Sequence, residues 1–174
     1  QGYIQLKELF QKKNIHLNDT LPFRNTDGEE ESFFSLLLQK SSILTSALTD
    51  VINELILSRT IKVIRYIKDN GLARIIQSSL DSSAGTLTAE LNGQQWPVMP
   101  PIFTWIYQNS GFSQDEMFEN FNCGIDYLII VDHTKSTVEN ILQQLTQTYT
   151  TCFLLGTLTS LNSSPARSKT VNIP

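Results

Sequence analysis

The stretch IKVIRYIKDNGLARIIQSSL (61–80) carries the fold. Its opening, Ile61 to Ile67, is β-branched and short, a composition that favours a buried strand. Asp69-Asn70-Gly71 follows, and Asn and Gly tolerate the positive φ of a tight turn. From Leu72 the period changes, placing Leu72, Ile75, Ile76 and Leu80 on one side of a helix. A strand, a turn and a helix in direct succession form a building block of layered domains.

The same alternation extends in both directions. Upstream, YIQLKELFQKK (3–13) places Ile4, Leu6, Leu9 and Phe10 among lysines and glutamines, as an amphipathic helix requires. Residues 18–31 are polar and contain Pro22 and Gly28, so they read as a loop. Between Ser32 and Leu57, apolar residues recur at three- and four-residue steps, predicting one or two helices with a break near Gln39–Ser42. Downstream, TLTAEL (86–91) predicts a strand ending at the Asn92-Gly93 turn. Trp96 to Pro101 is extended, because each proline biases its predecessor away from the helical region. Pro101 then suits the first turn of a helix through Ile102, Trp105 and Ile106. Ser113–Glu116 and Ser136–Glu139 each read as a capping box opening a helix. YLIIV (127–131) and CFLLGTLTSL (152–161) complete the strands. The expectation is an α+β layered α/β domain over 1–162 with a mixed sheet of at least four strands, followed by an exit linker over 163–174.

Composition narrows the classes of function. The chain has 174 residues, 40% hydrophobic and 17% charged, with a net charge of −4. That is enough for a buried core and too apolar for a wholly disordered chain. No apolar run approaches the roughly 20 residues of a membrane-spanning helix, so no membrane partner is expected. The acidic balance argues against nucleic acid, which recruits a basic face. Two cysteines, Cys123 and Cys152, make no disulfide framework and fit a reducing, cytoplasmic setting. Gln1 with no signal peptide after it reads as the start of a piece cut from a longer polypeptide.

Chemistry is sparse. His133 beside Asp132 invites an acid–base reading, with a surface-loop histidine as the plain alternative. Cys123 is either a nucleophile or a buried structural thiol. The run Glu29-Glu30-Glu31 reads either as a cation site or as a solvated helix entry. No metal-ligand or phosphate-cradling motif occurs.

The stretch WPVMPPIFTWIYQNSGFSQDEMFENFNCGIDYLIIV (96–131) resembles the C-terminal half of AIR synthetase, the phosphoribosylformylglycinamidine cyclo-ligase of purine biosynthesis. Trp96, Pro100, Ile102, Phe103, Trp105, Gly111, Glu116, Met117, Phe121, Asn122, Cys123 and Gly124 match that family's pattern. The likeness extends over nearly the whole chain. Gly2-Tyr3 with Asn18-Asp19 resembles the opening of that half, and Leu155 to Ser164 resembles its closing strand. The tail SSPARSKTVNI is similar to the exit segment of animal multifunctional purine proteins.

The resemblance implies a share in closing the imidazole ring of formylglycinamidine ribonucleotide. In the complete family enzyme, ATP with Mg activates the formyl oxygen, an amine attacks, and phosphate leaves. It further implies an N-terminal ATP-binding domain on the same polypeptide as partner, and a homodimer formed through that half. No cofactor, catalytic residue or metal ligand is expected in this chain. Remnant substrate and phosphate contacts fall at Lys68, Asn70, Gly71, Asn122, Cys123 and Gly124.

At several of the family's polar positions the sequence departs from the pattern. The glycine-rich H-I-T-G-G-G-L aligns with Tyr66 to Leu72, keeping only Gly71 and placing Asp69 where an anion would sit. The following E-N-(I/L)-P-R aligns with Arg74 to Ser78, and an upstream arginine becomes Ser42. The glycine after F-N-C-G-I becomes Asp126. Core and turn residues persist while polar cleft residues change, the pattern left when a fold outlives its site. The expectation is an AIR synthetase-like C-terminal domain, degenerate at the phosphate loop and not catalytic alone. The alternative is a non-catalytic structural or interaction domain within a larger purine-pathway protein.

Overall fold

The computed structural model describes residues 2–25, 27–38, 46–67, 71–81, 87–91, 98–134, 136–148 and 151–160. Among these, the elements run α1 (Tyr3–Lys13), α2 (Phe33–Leu38), α3 (Ser46–Leu57), β1 (Ile61–Tyr66), α4 (Gly71–Asp81), β2 (Leu87–Leu91), α5 (Pro101–Ser110), α6 (Gln114–Asn120), β3 (Tyr127–Val131), α7 (Val138–Thr148) and β4 (Gly156–Ser160). The α+β class expected from the sequence is the class observed. The chain divides into two compact units. One is drawn from Gln1–Ser42, Ile67–Arg74 and Val98–Asp126, the other from Ile43–Tyr66, Ile75–Pro97 and Tyr127–Pro174.

The first unit is helical and aromatic. Leu6, Leu9 and Phe10 form the buried stripe of α1, as their spacing requires. Phe10 meets Phe33 edge-on at 4.8 Å, and Phe33 meets Trp105 at 5.2 Å. Edge-to-face contact suits the opposite partial charges of ring edge and ring face. Pro101 occupies the first turn of α5, and Gly111 closes that helix at φ +80°. The box opening α6 is complete: Ser113 Oγ accepts from the Glu116 amide at 3.3 Å, and Glu116 Oε2 accepts from the Ser113 amide at 2.8 Å. These bonds satisfy two amides that the helix start leaves without partners.

In the second unit β1 runs antiparallel to β3, matching Ile64 with Ile129 and Tyr66 with Tyr127. Helices α3 and α7 supply Ile52, Leu55, Ile141 and Leu145 to a core that includes Ile61, with Ile64, Ile129 and Val131 packed against it. β2 runs antiparallel to β4, from Leu87 opposite Ser160 to Leu91 opposite Gly156.

The expected single mixed sheet is therefore corrected to two antiparallel pairs among the described residues. Apolar composition marks a strand but carries neither its partner nor its direction, which side-chain matching across the ladder decides. The last strand is also shorter than expected. Cys152 to Leu155 lie outside β4, and Cys152 packs against the α3–α7 core instead. The second capping site shifts by one residue: Thr137 Oγ1 accepts from the Asn140 amide at 3.2 Å, while Ser136 Oγ bonds the Asn140 carboxamide. The expected break near Gln39–Ser42, the Asn92-Gly93 turn and the linker 163–174 lie outside the described residues.

Candidate functional site

Gly71 and the consecutive Asn122, Cys123 and Gly124 all lie in the first unit, where the Leu72 amide next to Gly71 meets the Phe121 carbonyl next to Asn122. Lys68 and Asn70, with Asp69 between them, lie outside the described residues, as does Ser42. The backbone of 121–126 grips the segment on either side of 68–70. Ile67 donates its amide to the Asp126 carbonyl at 2.8 Å, and Leu72 donates to the Phe121 carbonyl at 3.2 Å.

Gly71 is the first residue of α4 and has φ +67°. A side chain there would run into the carbonyl oxygens of Phe118 and Glu119. Glycine is thus required twice, by backbone conformation and by space. The Phe121 carbonyl occupies one of the amides that a helix start would offer to an anion.

Asn122 to Ile125 form a tight turn, closed by the Ile125 amide donating to the Asn122 carbonyl at 3.0 Å. Both central residues are left-handed, Cys123 at φ +50° and Gly124 at φ +91°, as a type I′ turn demands. A Cβ on Gly124 would lie 2.6 Å from the Pro100 ring. The left-handed conformation at Cys123 is the one feature of this turn that its residue type does not announce. The Asn122 carboxamide is engaged at both ends. Its Nδ2 donates to Asp126 Oδ1 at 3.2 Å, and its Oδ1 accepts from the Gly124 amide at 3.5 Å.

Cys123 is buried, and its thiol points to the Met117 and Phe121 carbonyls at 3.7 and 4.0 Å. Burial pushes its pKa up to about 12, because the thiolate would lose its hydration. Burial and the raised pKa favour the structural-thiol reading over the nucleophile, since the thiolate is the reactive form. At pH 8 a thiol of this kind is ionised to roughly one part in ten thousand. Iodoacetamide at pH 8 is accordingly expected to leave Cys123 unmodified in the folded chain and to label it after unfolding in urea. Peptide mass spectrometry reads the result, and rapid labelling of the native chain would contradict the buried placement.

The remaining candidates resolve into local structure. Asp132 accepts from the Thr134 hydroxyl at 2.6 Å and the Thr134 amide at 3.0 Å, and pairs with Lys62 at 3.2 Å. These donors, led by Thr134, hold its carboxyl well down, at about 2. Asp132 therefore stays ionised near neutrality and closes the loop after β3, and His133 is exposed beside it. Of the acidic run, Glu30 pairs with Arg24 at 3.7 Å, and Glu31 accepts from Ser35 of α2 and from the Asn25 carboxamide. This is the helix-entry role. Among the described residues no cluster of His, Cys, Asp or Glu could hold a metal ion. No helix among the described residues is long and apolar enough to cross a membrane.

Over 173 residues the chain is 25% identical to the trifunctional purine biosynthetic protein adenosine-3 of Homo sapiens, covering 99% of this chain and 16% of that protein. It is 28% identical over 145 residues to the phosphoribosylformylglycinamidine cyclo-ligase of Lawsonia intracellularis, covering 83% of this chain and 38% of that enzyme. The cyclo-ligase of Burkholderia mallei is 25% identical over 170 residues, covering 98% of this chain and 44% of that enzyme. The chain is similar to AIR synthetases along nearly its whole length. It spans less than half the length of each of these relatives. No protein-family model matches it. The resemblance of 96–131 to AIR synthetase thus has a counterpart in full-length similarity, and both sides of the candidate site fall inside the aligned region of the human relative.

Proposed function

We propose that this chain serves as the C-terminal part of an AIR synthetase-like protein of purine biosynthesis, with a phosphate loop that no longer holds an anion. The ring closure and the ATP and Mg that drive it would depend on a partner N-terminal ATP-binding domain, paired as a homodimer. The setting would be cytoplasmic.

The observation that carries the reading is the carbonyl lining at the start of α4. The Leu72 amide donates to the Phe121 carbonyl, and the Phe118 and Glu119 carbonyls crowd Gly71. Carbonyl oxygens satisfy the positive end of the helix dipole from within the protein. An incoming phosphate would meet those oxygens and the Asp126 carboxylate beside Asn122, where an anion site offers free N–H groups. Without a ligand to reward them, polar groups facing a cleft are free to change, while Gly71 and Gly124 stay because the backbone needs them.

The native polypeptide that carries this chain tests the reading directly. Supplied with formylglycinamidine ribonucleotide, ATP and Mg, it is expected to form no aminoimidazole ribonucleotide. Sustained turnover would overturn the degeneracy. A second reading, a purely structural or interaction domain, is favoured by the intact aromatic core around Phe33.

A further inference from the structure

The helix FFSLLL (33–38) is apolar on every side except at Ser35, and the core uses only part of it. Phe33 is buried against Phe10 and Trp105, and Leu36, three residues on, is half-buried. Phe34, Leu37 and Leu38 stand three and four residues apart, which puts them together on another side of the helix. They are 48%, 42% and 64% exposed. The Phe34 amide donates to the Leu17 carbonyl at 2.7 Å, so Leu17, 47% exposed, adjoins the start of this face. A surface helix ordinarily turns polar residues outward, and adjoining exposed apolar residues mark a contact surface.

The border of the face is acidic. Glu29 and Glu30 are exposed just ahead of α2, and Glu31 accepts from Ser35 in its first turn. Asp19, also exposed, accepts the Phe33 amide at its carbonyl. Arg24 is the only lysine or arginine between residues 14 and 38, and it is paired with Glu30. We propose that the face formed by Leu17, Phe34, Leu37 and Leu38 docks an amphipathic helix of another polypeptide, apolar on one side and flanked by lysine or arginine. Anchors spaced i, i+3, i+4 on such a helix suit an apolar strip of this kind, and its cations meet the carboxylate border. A second copy of this chain would bring the same carboxylates against it, so charge selects against self-pairing. The face lies wholly in the first unit and does not depend on whether the loop before α4 holds an anion.

The test is fluorescence anisotropy of a dye-labelled helical peptide, leucine on one face and lysine on the other, titrated with the full chain. The same peptide with glutamate for every lysine runs beside it. The lysine peptide is expected to bind saturably at micromolar concentration, and the glutamate peptide not to bind. Phe34→Ala/Leu38→Ala should weaken binding at least about tenfold, as loss of apolar anchors does. Glu29→Gln/Glu30→Gln should weaken it about threefold, the worth of exposed ion pairs. Both variants change exposed side chains, and a urea midpoint like that of the parent shows that they fold. No binding of the lysine peptide, equal binding of the glutamate peptide, or undiminished binding by either variant would overturn the proposal. Sedimentation showing a dimer of the parent chain that Phe34→Ala/Leu38→Ala abolishes would also overturn it, by assigning the face to a second copy.

Discussion

Gly71→Ala is expected to destabilise the first unit by about 3 kcal/mol or more, since backbone strain and steric overlap act together. Alanine at φ +67° is strained, and its methyl group would press on the carbonyl oxygens of Phe118 and Glu119. Backbone oxygens cannot swing aside like a flexible side chain, so α4 or α6 must move. A small unit with a total stability of roughly 5–15 kcal/mol loses much of its margin this way. Urea unfolding followed by the fluorescence of Trp105, which lies in the same unit, measures the change. A midpoint indistinguishable from that of the parent chain would show that α4 does not start against α6.

The second large effect is expected at Phe33. This side chain is 1% exposed and touches both Phe10 and Trp105 edge-on. Phe33→Ala removes the ring that joins α1 to α5 and leaves a cavity, at a cost of about 3–5 kcal/mol. Phe33→Leu is expected to cost distinctly less, because leucine refills part of the space. The same denaturation experiment reads both variants. Equal losses for Ala and Leu would mean that the ring contacts matter beyond volume, and no loss for either would contradict the aromatic core.

These two residues also mark what was legible in the sequence. Gly71 could be read as a turn residue needing positive φ, because its neighbours and the change of period left little else. The carbonyls that crowd it belong to residues more than forty positions away, and no local pattern carries that information. The Ser113–Glu116 box was legible because capping is a local exchange of hydrogen bonds. The same rule placed the α7 start one residue early, since Ser136 and Thr137 both carry a suitable hydroxyl. Composition likewise mistook Cys152 to Leu155 for strand, as apolar residues packing on a core look alike in either conformation.

The candidate site divides along the same line. Asn122, Cys123 and Gly124 were found through resemblance, and their nearness to Gly71 is a consequence of the fold. The burial that disarms Cys123 and the Asn122–Asp126 bond depend on tertiary contacts. Asp126 was visible as a departure from a family pattern, but its role as the partner of Asn122 required coordinates.

The central claim is that the loop before α4 has lost its anion. Isothermal calorimetry of the chain with ribose 5-phosphate tests it most directly, with the double variant Lys68→Thr/Asp69→Gly alongside. The account predicts no measurable heat of binding for the parent chain at millimolar ligand, and none for the double variant, which keeps the Phe118, Glu119 and Phe121 carbonyls and Asp126 at the start of α4. Micromolar binding by the parent chain would contradict it.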